Sequence, residues 1–365
     1  MLCLRRRAAI FPSMKLRVSL VLLSCLLSLA TGLILARRHG PVAAGAEKSR
    51  PRIGLSMDTL KEERWQADRE MFVERAGALG AEVFVQSANS DDTRQIKDVE
   101  GLLTQGIDVL VIIPHDGAAC AKAVELAHQA GVPVLAYDRL ITGADLDLYL
   151  TFDNVKVGEL QARTLVAKLG SSPGKKLVRI YGSKTDNNAL LFKQGQDNVL
   201  GPLIASGAIE VLHEDWAQDW RPENAKKIAN AALTKAGHGI DAILASNDGT
   251  AGGAIQALTE EGLAGRVLVT GQDADLAACQ RIVAGTQFMT IYKPLSRLAG
   301  QAAELAVKLA RRQPVVARAE LDNGKIAVPS VLLDVVAVTR ENLDATVIQD
   351  GFRKREEVYR GAEGK

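Results

Sequence analysis

The chain has 365 residues, 47% hydrophobic and 24% charged, a globular composition long enough for two core-forming units. Its formal charge of +2 hides a division: positions 1–46 hold Arg5, Arg6, Arg7, Lys15, Arg17, Arg37 and Arg38 and no acid, which leaves 38 basic against 43 acidic residues elsewhere. A mildly acidic body gives no reason to expect nucleic-acid binding, and the five histidines, at 39, 115, 128, 213 and 238, lack the spacing of metal ligands.

The cationic start runs into an apolar stretch from Val18 to Ala36, the layout of an export signal or an N-terminal anchor. Ala44-Gly45-Ala46 fits a small-residue cleavage site, and Met14 offers an alternative start that would give a more ordinary signal. Leu22-Leu23-Ser24-Cys25 has the form of a lipoprotein box, but too few apolar residues precede it and too many follow. No second apolar run of transmembrane length appears. Beyond the leader, Cys120 and Cys279 fall on helical stretches of different units and are expected as buried free thiols.

Residues 37–51 read as a tether. The first unit opens with a strand at Arg52–Met57, followed by a helix from about Glu62 to Leu79 with Trp65, Phe72 and Ala76 at helical spacing, stopped by Gly80. Strands are predicted at 82–86, 108–113, 132–137 and 147–152, with Gly106, Gly131, Pro114 and Pro133 as punctuation. A helix over 156–169 leads to the break Ser171-Ser172-Pro173-Gly174. A second series follows, with strands at 177–181, 209–213, 240–245, 267–270 and 287–292. After Pro294 the alternation changes: a long helix over 295–311, a hairpin-like stretch, and the apolar run Val331–Val338. These pieces are too few for a third domain, so they are expected to return and complete the first two sheets. The fold class is α/β with parallel sheets in two units.

Polar residues share one address in this pattern. Asp138, Asn154, Asn188, Asn247, Asp273 and Lys293 each stand at or just after the carboxyl end of an apolar run. Ligands of open α/β sheets bind in the crevice beyond those ends, and no nucleophile–base pair accompanies the set. Taken singly, Asp138 and Asp273 read first as helix N-caps, Asn188 and Asn247 as readily turn or cap residues as ligands, and Trp65, on a helical apolar face, has core packing as a competing role. Trp220 precedes Arg221-Pro222, a helix start where an aromatic packs nothing obvious. Gly249 to Gly253 do not match a phosphate loop and are expected inside a helix, as close helix–sheet packing. Asp91-Asp92 and Glu62-Glu63 read as solvated helix starts favoured by the helix dipole.

Together the segments Glu63-Arg64-Trp65-Gln66, Val85 to Asn89, Ala136-Tyr137-Asp138-Arg139, Phe152-Asp153-Asn154, Asp186-Asn187-Asn188-Ala189, Trp216 to Trp220, Ser246-Asn247-Asp248, Gly271 to Asp275 and Tyr292-Lys293-Pro294 resemble the D-xylose-binding proteins of bacterial ABC importers. The resemblance runs from about residue 52 to Phe352, motifs in order. It implies the type I periplasmic-binding-protein fold: two Rossmann-like lobes joined by a three-segment hinge, residues 52–154 plus 294–329 and residues 155–293 plus 330–352. It implies sugar contacts from Arg64, Trp65, Asp138 and Arg139 of the first lobe, from Asp186, Asn188, Trp220, Asn247 and Asp273 of the second, and from Lys293 at a crossing. Lys61 takes the place of a basic residue usual in the family and is expected near the cleft. The implied activity is capture of D-xylose by a periplasmic monomer for an inner-membrane permease, with no catalysis, no cofactor and no metal. Another aldose (arabinose, ribose, glucose or galactose) is the alternative. A sugar-responsive transcription regulator would need a helix-turn-helix ahead of residue 52, where the apolar leader stands. A nucleotide-dependent enzyme would need glycine in the first βα turn, where Met57-Asp58-Thr59-Leu60 has none.

Overall fold

A computed structural model describes residues 50–360 except 171, 237 and 238, together with Leu23, Ser24 and Ser28. The leader expectations, its cleavage site and alternative start included, lie outside the described residues apart from those three positions. Among the described residues, no helix is long and apolar enough to cross a membrane.

The first lobe begins with β1 (Arg52–Met57), α1 (Glu63–Ala78), β2 (Glu82–Ser87), α2 (Asp92–Thr104), β3 (Val109–Ile112), α3 (Ala121–Gln129), β4 (Val134–Tyr137) and β5 (Leu148–Phe152). Every residue of β3, β4 and β5 is buried. That is why these strands are unbroken apolar runs: a parallel sheet is covered on both faces. Trp65, Phe72 and Ala76 of α1 lie in the core of this sheet, as their spacing predicts.

The second lobe follows with α4 (Asn154–Leu169), β6 (Lys175–Tyr181), α5 (Asn187–Ala205), β7 (Ile209–Trp216), a short 3-10 turn at Gln218–Trp220, α6 (Pro222–Ala236), β8 (Ala242–Ala245), α7 (Asp248–Glu260), β9 (Leu268–Val269), α8 (Leu276–Ala284) and β10 (Met289–Tyr292). Its parallel sheet has the order β7-β6-β8-β9. The chain then returns through α9 (Leu295–Ala310), which packs Leu295, Leu298 and Ala302 into the first core, and the hairpin β11 (Ala319–Asp322) and β12 (Ala327–Leu333). The first sheet is completed as β11-β12-β5-β4-β3-β1-β2. A last crossing delivers β13 (Val336–Thr339) antiparallel to β10, ahead of a π-type turn at Asp344–Ile348 and the short α10 (Arg355–Val358).

The tail completes the first sheet but does not join the second: β13 pairs with β10 in a separate two-stranded sheet, and the last boundary is displaced. Residues 330–333 were expected in the second lobe, whereas Ser330–Leu333 pair with Tyr149–Phe152 in the first sheet. The apolar run that looked like one strand is split at Asp334 and Val335, and the crossing sits there. The reason is register: the hairpin places seven residues of β12 alongside the first sheet before the chain can leave. Cys120 and Cys279 are free and buried, as expected.

In the second lobe the helices pack closely through glycine. A Cβ on Gly195 of α5 would collide with the carbonyl oxygen of Val155, and one on Gly158 of α4 with that of Phe192. The atoms struck are backbone, which cannot rotate aside. Gly253, expected to serve helix–sheet contact, instead meets the carbonyl of Pro222, so it serves helix–helix contact between α6 and α7. Gly195→Ala should therefore destabilise by about 1–3 kcal/mol through overpacking, although glycine-to-alanine inside a helix ordinarily stabilises by roughly 0.5–1 kcal/mol. Urea unfolding of the variant settles the sign; a gain in stability would contradict the packing.

Candidate functional site

The polar ends of the strands converge on one cavity of about 70 Å³, room for several waters or for one small polar molecule in their place. All ten residues expected in the site line it: Arg64, Trp65, Asp138, Arg139, Asp186, Asn188, Trp220, Asn247, Asp273 and Lys293. Lys61 does not; it is exposed at the start of α1.

Arg64 is the hub. It is buried, and its Nη2 meets Asp138 Oδ2, its Nη1 lies 3.3 Å from Asp273 Oδ1, and its Nε 3.2 Å from Asp68 Oδ2. The first and third partners belong to the first lobe and Asp273 to the second, so one guanidinium ties the lobes together. Burial alone would weaken its charge, but the three carboxylates outweigh that and hold its pKa well above the usual arginine range. Asp138 shows the converse: burial pushes its carboxyl up, and Arg64 and Lys293 beside it bring it below the usual range. Behind Arg64, burial raises Asp68 to about 6 despite Arg64 and the Tyr137 hydroxyl that donates to it at 2.5 Å.

A second set holds Arg139. Its Nη1 donates to Asp58 Oδ2 at 2.8 Å and to the Pro114 carbonyl at 3.1 Å. Its Nε lies 3.0 Å from Asp186 Oδ2 without aligning a hydrogen bond. Asp186 caps α5 by accepting from the Asn188 N–H at 2.9 Å and also accepts from Trp220 Nε1 at 3.1 Å. Burial raises its pKa, with Arg139 opposing. Lys293 is 1% exposed, with Nζ 3.4 Å from Asp273 Oδ1. Burial, then the charge of Arg64, lowers the ammonium's pKa, and Asp273, Asp138 and Asp186 oppose.

Backbone strain gathers here. Among the described residues eight non-glycine positions have positive φ, and five of them are Asp138, Asp219, Trp220, Asp273 and Ala274. Such conformations persist only where the surroundings over-determine them. Asp138 is held at φ 64° by its N–H donating to Leu150 O at 2.8 Å. Its carbonyl accepts from Tyr149 Oη at 2.9 Å, Thr151 Oγ1 at 2.6 Å and Asn188 Nδ2 at 3.0 Å. The capping expectation thus fails for Asp138, and for Asp273 at φ 102°, because their left-handed backbones aim the carboxylates into the cavity instead. Asn247 does both jobs: it lines the cavity and forms a reciprocal capping box with Thr250 at the start of α7.

The aromatic residues sit on both sides. Trp65 belongs to the first core and also carries the guanidinium carbons of Arg64 and Arg139 at 4.3 and 5.1 Å from its ring. Trp220 has clear packing partners, contrary to its sequence reading. It lies against Gly182, where any Cβ would strike the indole, and edge-on to Phe192 at 6.2 Å.

Six lining residues stand outside the expected ten: Glu62, Phe192, Pro222, Gly249, Gln272 and Asp275. Phe192 stands four residues after Asn188 on α5, a helical spacing that would have revealed it. Gln272 adjoins Asp273 on the same strand end. Glu62 was expected as a solvated helix start; it is half-buried with one oxygen unpartnered, and burial raises its pKa. Asp275, also lining the cavity, is pushed well above the usual carboxylate range by burial and by Asp248 and Asp273.

Residues 53–314 match the periplasmic binding protein domain. The D-xylose-binding periplasmic protein of Haemophilus influenzae is 53% identical over 308 residues, spanning 84% of this chain and 92% of that protein. Its namesake in Escherichia coli (strain K12) is 50% identical over 333 residues, 91% and 98% of the two chains. A carbohydrate transporter solute binding protein from Chloroflexus aurantiacus, solved in complex with D-glucose, aligns with a TM-score of 0.79 at 35% identity. It covers 84% of this chain and 97% of that one. With two α/β lobes crossed three times and a polar cavity between them, the chain belongs to the sugar-binding periplasmic binding proteins.

Proposed function

We propose that this protein captures D-xylose between its two lobes and delivers it to an ABC permease of the inner membrane. The observation that carries the reading is a cavity whose wall alternates cations and carboxylates from both lobes, with an indole on each side. Carboxylates and amides accept from sugar hydroxyls, Arg64, Arg139 and Lys293 donate charge-assisted hydrogen bonds, and indoles cover C–H faces. Burial raises the pKa of Asp275 well above the usual carboxylate range and moves Glu62 in the same direction, while Arg64, Arg139 and Lys293 offset Asp138, Asp186 and Asp273. That suits a neutral polyol better than a phosphate. Asp138, Asp186 and Asp273 are each matched to a cation, an arrangement for holding rather than for proton transfer.

Sugar that touches both lobes favours the closed form over the open one, and the permease would read the closed pair of lobe surfaces. The two D-xylose-binding relatives support xylose. The D-glucose complex of the Chloroflexus relative supports a second reading, that another aldose is the preferred ligand. Residues 1–46 would direct export or anchor the protein at the membrane, supported by their charge, their apolar length and the periplasmic relatives.

D-xylose should bind one-to-one by calorimetry and, at a hundred times its Kd, add about 2.7 kcal/mol to the unfolding free energy. A panel of pentoses and hexoses ranks the two readings. If no aldose moves the melting midpoint of protein stripped of co-purified sugar, sugar capture is wrong.

A further inference from the structure

We infer that the C-terminal segment Asp350–Arg353 is a strap that holds the two lobes closed from outside the cavity. Arg353 is its clasp. Its Nη1 meets Glu63 Oε1 in the first turn of α1, in the first lobe, and its Nε donates to the Ala274 carbonyl at 3.0 Å, in the second. The Arg353 side chain is only 11% exposed, although Glu63 is an open surface residue. Phe352 lies under the guanidinium at 4.4 Å and 5.2 Å from the ring of Tyr292, and it packs against the apolar clusters of both lobes. Tyr292 Oη donates to Asp350 Oδ2 at 3.2 Å.

Each anchor adjoins a site residue: Glu63 precedes Arg64, Ala274 follows Asp273, and Tyr292 precedes Lys293. Neither the strap nor its anchors line the cavity. Contacts across a cleft exist only when it is shut, so they stabilise the closed form without touching the ligand. A ligand's apparent affinity scales with the fraction of protein in the competent form. Loss of the strap should therefore speed release and leave encounter unchanged. Arg353 is a positioning residue, and this role rests on the sugar-capture reading only for its effect on ligand.

Arg353→Met keeps the apolar stem and removes the clasp. Stopped-flow tryptophan fluorescence with D-xylose should show dissociation about 3–10-fold faster and association within about twofold of the parent. Small-angle scattering of the sugar-free protein should show the variant more expanded. Glu63→Gln, at an exposed site where folding is not at stake, should change both readouts in the same direction, and the double variant should be no worse than Arg353→Met alone. Equal dissociation rates and equal scattering profiles would overturn the strap, as would independent additivity of the two substitutions. If neither parent nor variant binds any aldose, sugar capture fails, and the scattering comparison alone still decides the strap.

Discussion

Replacing Arg64 by methionine should cost about 3–5 kcal/mol of stability, because it strands buried carboxylates that share one cation. Methionine follows the same path through the core, so the loss is electrostatic rather than a cavity. Arg64 is 6% exposed and serves Asp68, Asp138 and Asp273, two in the first lobe and one in the second. Asp68 already stands at about 6 with Arg64 beside it. A carboxyl raised in the folded state stabilises the fold at low pH and loses that contribution as pH rises through the folded value. Without Arg64 the folded value moves higher and the loss at neutral pH grows. Melting curves of parent and variant between about pH 5 and 8 should therefore diverge as pH rises. Sugar binding should fail in the variant at every pH, since Asp138 and Asp273 lose the group that orients them. A deficit independent of pH would mean that Arg64 contributes packing rather than charge.

Local rules made part of this site legible: a short apolar run followed by a polar residue marks a strand end, and five of the six residues so marked, Asp138, Asn188, Asn247, Asp273 and Lys293, line the cavity. The sixth, Asn154, stands behind the wall and donates to Asn188 Oδ1 at 2.9 Å, while Arg64, Trp65, Arg139, Asp186 and Trp220 were expected from the family resemblance. What local rules cannot carry is backbone handedness. Asp138 and Asp273 looked like caps because that is the usual work of aspartate after a strand. Their positive φ comes from distant partners, Leu150, Thr151 and Asn188 for one, Ile291 for the other. Trp220 looked unpartnered because Gly182, which makes room for its ring, is 38 positions away on another element. Glu62 carried the same helix-start signature as Glu63, yet one residue's difference on α1 turns the first toward the cavity and the second toward Arg353. The displaced boundary has the same origin. An unbroken apolar run says nothing of which sheet its halves join, and only the pairing of Ser330–Leu333 with β5 decides it.

Asp273→Asn should reduce sugar affinity about 10- to 100-fold, the loss expected for a hydrogen bond to a charged group, 1.5–3 kcal/mol, in a site closed from water. Because Asp273 does not cap α8, which starts at Asp275 with no side-chain cap bond, the change spares that helix. Asparagine keeps the shape but cannot balance Lys293, whose ammonium is 3.4 Å away and already lowered by burial. Asp273 is among the groups that hold that proton on. Its neutralisation lets the lysine titrate at lower pH, and a lysine that loses its charge ceases to donate with charge assistance. Residual binding by Asp273→Asn should thus weaken with rising pH more steeply than binding by the parent. Asn247→Ala is the contrasting case, for there the lost side chain caps α7 and stability should fall by about 1 kcal/mol. Calorimetry at several pH values, with a urea unfolding curve for each variant, separates the two roles. Full affinity in Asp273→Asn would remove that carboxylate from the sugar site and leave it as a counterion for Arg64 and Lys293 alone.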